Sequence, residues 1–592
     1  MTIVEKKTEN ENETEKQPFF KLPIEYLKNK IKIQEHIITD LELKENIQTK
    51  TKSLYEYVFN PSNEFSKQTI SLWKNYYTSD KRFIKDSQKL FKKDIKYLLK
   101  PEQVDDVSKI MDEIEKETGF IEKYYYIDWP MFEKFNNHSQ FLQWLSVYNM
   151  TSPVLSLFLP VFFLILPLFL LKLQGIPISV AMYIQILKQL FQRHSIGQLF
   201  NIGSASWDKL IYIIISIGFY ILQIYQNIIS CIKFYKNMKK IHYQLFIIRD
   251  YIDSTLVEME HFNTSYKKLK SYKPFIDEMN EHMIILKYIQ SDLREVEPNK
   301  VSIKKFKQIG HVMKCFYQLY KNEKYYSSLK YSFGFNGYLD NLCGLKQNIK
   351  DKHISSCKVI NSTSNNQCKF TDAYFPTLVN ANPVKNSYTL EKHILITGPN
   401  AAGKTTLLKT TIFNIILSQQ IGFGFYKSAH LNPYDSIHCY INIPDTSGRD
   451  SLFQAEARRC KDILTQLETS SNTSRHFCVF DELYSGTNPY EAIGSAYSFL
   501  TYLNKYNNIR FMLTTHYLDL CKRLDNDTNI QNVHMNIDIS TNNDTINQDF
   551  KYTYKMLPGI STIKGGIKVL TDLNYPSEII HNTRNIIKEL IL

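Results

Sequence analysis

The residues with the most definite chemistry are Gly398-Pro399-Asn400-Ala401-Ala402-Gly403-Lys404-Thr405-Thr406. They match G-x-x-x-x-G-K-[ST] at every fixed position. An apolar stretch, 393–397, precedes them and an apolar-periodic one, 407–417, follows, so the spacing predicts a strand, a phosphate-cradling loop and a helix. In such a loop the backbone N–H groups and the helix N-terminus face phosphate oxygens, Lys404 reaches the terminal ones, and the Thr405 hydroxyl is placed to ligate Mg²⁺. A nucleoside triphosphate with Mg²⁺ is the expected ligand.

Two further segments narrow the chemistry. The apolar run 477–480 reads as a strand and ends in Asp481-Glu482. An acidic residue at the carboxyl end of such a strand reaches Mg²⁺ through water, and the next carboxylate, Glu482, is the candidate to polarise an attacking water. The run 509–513 then ends in Thr514-Thr515-His516-Tyr517. If that strand neighbours the first, His516 lies beside the γ-phosphate edge and senses it. The plainer alternatives are a surface turn for the acidic pair and a structural histidine.

With these segments in view, the chain resembles the ATPase domain of the MutS family of DNA mismatch repair proteins. The resemblance rests on 397–406, on Asp481-Glu482-Leu483-Tyr484-Ser485-Gly486-Thr487, on 514–517, and on 554–561 followed by Gly565-Gly566-Ile567. It extends to 445–456, which is similar to the family's signature loop. There Ser451 aligns with the serine that reaches across a dimer to the partner's γ-phosphate, and Asn386 aligns with an asparagine near the adenine. The resemblance implies an α/β P-loop ATPase with ATP and Mg²⁺ as cofactors. It also implies a homodimer, or a dimer with a related subunit, and DNA of the mismatch-repair type as a partner. Lys404, Glu482 and His516 take the catalytic roles, and Thr405 and Asp481 the metal.

A chain of 592 residues is too long for one core, so several domains must position these residues. Residues 1–17 are polar and expected to be disordered, with no apolar signal segment. Residues 18–134 show apolar positions at helical spacing, 31–41 and 90–99 among them, and form the expected helical domain. Residues 238–350 carry an unbroken helical pattern from 238 to 296 that resumes at 301, a core and lever region. A texture of short strands and turns begins at Asp351, and the nucleotide-binding domain spans 351–592, its tail from Tyr575 matching the family's helical dimerisation end. The formal charge of +13 fits a polyanionic partner such as nucleic acid or an anionic membrane face, yet the lysines are spread through the chain and no basic tract dominates. Nine cysteines without a C-x-x-C pair suggest neither a disulfide framework nor a zinc site.

Residues 135–237 depart from everything around them. No Asp, Glu, Lys or Arg occurs between Lys134 and Lys172, and a second uncharged run covers 210–232. Each run is long enough to cross a hydrocarbon core, so two transmembrane helices at about 150–172 and 210–232 are expected, Pro160 and Pro167 interrupting the first. Lys233, Lys236, Lys239 and Lys240 fit a cytoplasmic flank, while the loop between the runs is also basic, so charge alone leaves both orientations open. The expected location is a membrane with the ATPase domain facing the cytoplasm; a buried hairpin would instead allow nucleus or cytoplasm. Repair MutS proteins read mispairs with an N-terminal α/β domain carrying a Phe-x-Glu wedge. Here Phe120-Ile121-Glu122 stands among helical residues, the wrong context for that reader. The rival from another class is a membrane ATPase of transport or remodelling type without a DNA role, and the third option an idle scaffold. No Leu-Ser-Gly-Gly-Gln signature of transport cassettes occurs, and Lys404, Thr405, Asp481 and Glu482 are all present.

Overall fold

The computed structural model describes residues 19–43, 52–175, 179–193, 207–296, 303–360, 368–441, 443, 451–539, 550–561 and 566–589. The expected tail 1–17 and residues 445–450 of the expected signature loop 445–456 lie outside them. The chain falls into two compact units. One contains Met1–Leu98, Val257–His282 and Lys330–Leu592, the other Leu99–Leu256 and Met283–Leu329.

The first unit begins with β1 (Lys30–Lys32), α1 (Glu35–Asp40), α2 (Leu54–Phe59), α3 (Glu64–Trp73), β2 (Tyr76–Thr78) and α4 (Lys81–Leu90), β1 pairing antiparallel with β2. Side chains set the helix starts. The Asn63 amide oxygen accepts from Ser66 N at 3.1 Å, and the Asp80 carboxylate accepts from Arg82 N and Phe83 N at 2.8 and 3.0 Å. Two details differ from the helical expectation. Ile31 lies in a strand, and the chain leaves the helix after Leu90, remaining irregular up to the residue preceding Pro101. A residue before proline is sterically driven out of the helical region, so the next helix starts afresh.

The second unit is all helical: α5 (Pro101–Lys116), α6 (Phe120–Lys123), α7 (Ser139–Leu173), α8 (Val180–Arg193), α9 (Trp207–Tyr266), α10 (Lys273–Arg294), α11 (Ile303–Lys321) and α12 (Glu323–Lys350), the boundaries between units falling inside α9, α10 and α12. The unbroken pattern expected from 238 to 296 is in fact two helices. Pro274, lacking an N–H, fits the first turn of a new helix and not the interior of an old one. Conversely, α7 runs through Pro160 and Pro167 without ending. Gly310 lets α11 lie against α7: a Cβ there would stand 2.1 Å from Ser139 O, and Gly310 N donates to the Gln143 side chain at 2.9 Å. Further along, Tyr220 OH donates to Ser156 O at 3.2 Å and Cys231 Sγ lies 3.6 Å from Met150 O, so α7 and α9 pair antiparallel. Their outer faces carry large apolar side chains, with Phe158 62% and Phe219 68% exposed. Among the described residues one stretch, Ile214–Tyr266, is long and apolar enough to cross a membrane by length and composition.

The rest of the first unit is an α/β assembly. Its main sheet contains β6 (His393–Thr397), β9 (Ser436–Tyr440), β10 (His476–Asp481), β11 (Ile509–Thr514), β12 (Ile530–Ile539) and β13 (Phe550–Pro558), in the order β13-β12-β6-β11-β10-β9. All pairings are parallel except β12 with β13. A second sheet has the order β5-β4-β8-β3-β7, from β3 (Ser355–Val359), β4 (Lys369–Ala373), β5 (Asn386–Thr389), β7 (Phe423–Gly424) and β8 (Ser428–Leu431). The helices are α13 (Lys404–Ile421), α14 (Leu452–Thr469), α15 (Pro489–Leu503), α16 (Leu518–Leu524), α17 (Gly566–Asp572) and α18 (Ser577–Glu589). Every residue of β6 is buried, as befits a central parallel strand covered on both faces. Leu395, Phe480, Leu513, Leu500 and Ile463 share one core. The N-terminal segment belongs to this unit through buried amides of α13. Gln420 accepts from Tyr55 OH at 2.9 Å and donates to Trp73 O at 2.6 Å, and Gln419 donates to Thr78 O at 3.1 Å.

Candidate functional site

The loop between β6 and α13 turns on two glycines. Gly398 has φ 147° and Gly403 φ 92°, conformations an L side chain rarely adopts, and a Cβ at 403 would press to 3.2 Å from the Tyr554 ring. Gly403 thus starts α13 at Lys404. The lysine is only 6% exposed and folds back over the loop, Nζ donating to Gly398 O at 2.9 Å and standing 3.8 Å from a Glu482 carboxylate oxygen. Burial pulls its pKa below the usual lysine value, and Glu482 and Asp481 oppose that shift.

Sheet order brings the acidic pair to the same place. β11 lies between β6 and β10, and in the parallel register Asp481 is opposite Thr514. Thr405 Oγ1 donates to Asp481 Oδ2 at 2.7 Å, while the Thr514 hydroxyl bonds the other carboxylate oxygen. Burial pushes the Asp481 pKa up, and these two hydroxyls hold it back. Past the strand end Glu482 adopts a left-handed φ of 50°, its N–H donating to Thr514 O at 3.0 Å. Its carboxylate stands 3.8 Å from His516 Nδ1. His516, then Lys404, hold it below the usual carboxylate range, so it is ionised at neutral pH. His516 is about half exposed at the rim.

Thr405 and Asp481 suit Mg²⁺, a hard cation that takes one or two protein oxygens and fills its octahedron with water and phosphate oxygens. Among the described residues no group of three His, Cys, Asp or Glu side chains gathers as a metal cage.

A cleft of about 790 Å³ opens over the loop, running from Asp481 and Glu482 across Lys404 and Thr406 to an end lined by Tyr374, Phe375, Leu378 and Val384. Met535 and Tyr554 close its side. One end is polar and sized for phosphates, the other aromatic and aliphatic, as a flat heterocycle requires.

Residues 394–591 match the family model described as MutS domain V. The C-terminal portion of this chain is thus similar to domain V of the MutS family. Among similar curated proteins, the DNA mismatch repair protein MutS of Parabacteroides distasonis is 32% identical over 36% of this chain and 23% of its own length. The MutS of Leuconostoc citreum is 30% identical over 35% and 23%, and the endonuclease MutS2 of Staphylococcus carnosus 27% identical over 36% and 26%. The chain thus spans about a quarter of the length of these relatives.

Against the MutS resemblance, each remaining residue finds a place. Asn386, expected near the base, lines the cleft but directs its amide elsewhere: Nδ2 donates to Tyr554 O at 3.0 Å and Oδ1 accepts from Met556 N at 2.9 Å. It ties β5 to β13 and so fixes Tyr554 over the loop. Ser451 is the N-cap of α14, exposed, its Oγ accepting from Gln454 N at 3.3 Å. It does not line its own chain's cleft. Phe120 is not a DNA wedge, being 1% exposed and stacked on Tyr320 with ring centroids 3.8 Å apart. The sequence reading missed Phe375, Met535 and Tyr554 as site residues. The Tyr374-Phe375-Pro376 cluster marked the first, Tyr554 opened one of the segments that carry the resemblance without being given a role, and nothing local marked Met535.

Proposed function

We propose that this chain is a MutS-type ATPase. It binds ATP with its phosphates on the loop 398–406 and its base against Phe375 and Tyr554. The observation that carries the reading is the convergence of Lys404, Thr405, Asp481 and Glu482 in a single cleft, with His516 standing against Glu482. Mg²⁺, held by Thr405 and Asp481, would neutralise charge on the phosphates. Glu482 orients a water whose oxygen attacks the γ-phosphorus as the bond to the bridging oxygen breaks, releasing ADP and phosphate. Lys404 takes up charge on the transferred group, and His516 keeps Glu482 ionised and aimed.

The exposed N-cap position of Ser451 supports a dimer in which each subunit's serine completes the other's site. The MutS relationship supports coupling of ATP turnover to DNA, without mismatch sensing by Phe120. The outward apolar faces of α7 and α9 support a membrane anchor, and Lys233, Lys236, Lys239 and Lys240 support an ATPase facing the cytoplasm.

The test is turnover and nucleotide binding by the full chain in detergent. Glu482→Gln is expected to lower hydrolysis by about 100-fold or more while retaining binding of a fluorescent ATP analogue. Wild-type turnover by that variant removes Glu482 from the reaction; absence of both ATP binding and turnover in the wild-type chain removes this function.

A further inference from the structure

Outside the nucleotide cleft, the first unit contains a second concavity, of about 550 Å³, whose lining is almost wholly cationic. α4 contributes Lys81, Arg82, Lys85 and Lys89, and the short turn before α10 contributes Lys268 and Lys270. The two basic segments are far apart in sequence, and buried groups hold them together. Phe83 stacks on Tyr272 with centroids 5.4 Å apart and planes at 5°, Ser87 Oγ and Tyr272 OH are 2.9 Å apart, and the Asp86 carboxylate accepts from Ser271 Oγ at 2.8 Å.

Asp86 is the one acid lining the cleft, and it is already paired with Lys89 at 2.7 Å. Among the described residues no acidic side chain lies within ion-pair distance of Lys81, Arg82, Lys85, Lys268 or Lys270. Packing that forces like charges together without counter-charges costs free energy unless an anion supplies them. Burial lowers the Lys81 pKa, Arg475 and Lys85 lower it further, and Asp435 opposes them.

The spacing points to the kind of anion. Lys81, Lys85 and Lys89 recur every four residues, about 6 Å apart along one edge of α4. A row of charges suits a linear polyanion with repeating phosphates better than a single phosphate. No aromatic or aliphatic side chain lines the cleft, so nothing there could stack on bases or insert among acyl chains. We infer that the groove between α4 and the segment 268–270 binds the sugar-phosphate backbone of a nucleic acid strand, without sequence preference. The DNA-coupled reading above guides only the choice of polyanion; the charge geometry stands without it.

The groove also adjoins the nucleotide-binding framework. Gln88, between Lys85 and Lys89 on α4, donates to Gly422 O and Cys357 O, both at 2.7 Å, and Gly422 caps the far end of the helix that Lys404 begins.

The experiment measures binding of a fluorescent mixed-sequence single strand of about 16 nucleotides to the full chain in detergent, across about 50 to 200 mM salt. The variant is Arg82→Ala/Lys85→Ala/Lys268→Ala, all exposed positions; Lys461→Ala/Lys505→Ala is the control. Loss of three phosphate contacts is expected to weaken binding at least about 10-fold at low salt and to flatten the salt slope by about 2. The control and the thermal midpoint of the triple variant should be unchanged. Undiminished oligonucleotide binding by the triple variant overturns the inference. So does loss of binding to phosphatidylserine vesicles with oligonucleotide binding intact, or a wild-type chain that binds no oligonucleotide. In the last case, ATP turnover sensitive to Glu482→Gln would show that the ATPase reading survives.

Discussion

The two units use their apolar residues in opposite ways. In the first, the strands around Lys404 are buried on both faces, and the polar groups that accompany them inside, such as Gln419, Gln420 and Asn386, have named partners. In the second, α7 and α9 pair with each other yet turn Phe158, Phe162, Phe219 and Tyr225 outward. The first pattern is a core excluding water. The second leaves a surface that water does not favour, far more than scattered exposed residues would. The lesson is that hydrophobic content alone does not distinguish a core from an exposed apolar face, and the direction of the side chains does.

The contrast breaks most sharply at Lys404. Lys404→Ala removes the buried cation of the first unit and should reduce ATP turnover at least about 100-fold. If Ser451 acts across a dimer, mixing Lys404→Ala with Ser451→Ala protein should restore part of the activity that each lacks alone; no recovery on mixing dismisses the shared site.

The second unit is tested by carbonate extraction of expressed protein. The wild type should stay with the membrane pellet, and Phe158→Lys/Phe219→Lys should shift it toward the soluble fraction, since each central lysine costs about 2.5–3.5 kcal/mol. A wild type recovered in the soluble fraction abolishes the contrast as drawn here.

A smaller effect is expected at Asn386. Its replacement by Ala leaves Met556 N and Tyr554 O without their side-chain partner, at about 1–3 kcal/mol, read as a lower unfolding midpoint and weaker nucleotide binding. Equal stability of the variant would show that β5 and β13 need no such tie.

The smallest effect concerns Asp481, whose pKa is raised on folding. Such a group favours the folded state most at low pH, below the ordinary carboxylate value, and that contribution is lost as pH rises through the folded pKa. Asp481→Asn should therefore melt like the wild type in acid and slightly higher at neutral pH, while losing turnover. A lower midpoint at neutral pH contradicts the assigned burial cost.

Legibility followed locality. The loop 398–406 and the pairs Asp481-Glu482 and Thr515-His516 were readable because each is a contiguous run at the end of an apolar strand. The helix ends were less so: the break after Leu90 and the break between Tyr266 and Lys273 interrupt patterns that periodicity alone extends. Periodicity records which faces are apolar, and a proline or a short strand can end an element without disturbing it.

By itself the sequence determined the shape of the loop 398–406, because a loop closed by glycines and followed by Lys404 and Thr405 presents its groups through its own backbone. Tertiary structure alone decided that Tyr554 and Met535 wall the cleft, that Asn386 bonds β13, that Phe120 is core, and that lysines from α4 and from 268–270 face one groove. Those neighbours lie scores to hundreds of residues apart, and what joins them is strand register and side-chain packing, which no local pattern encodes.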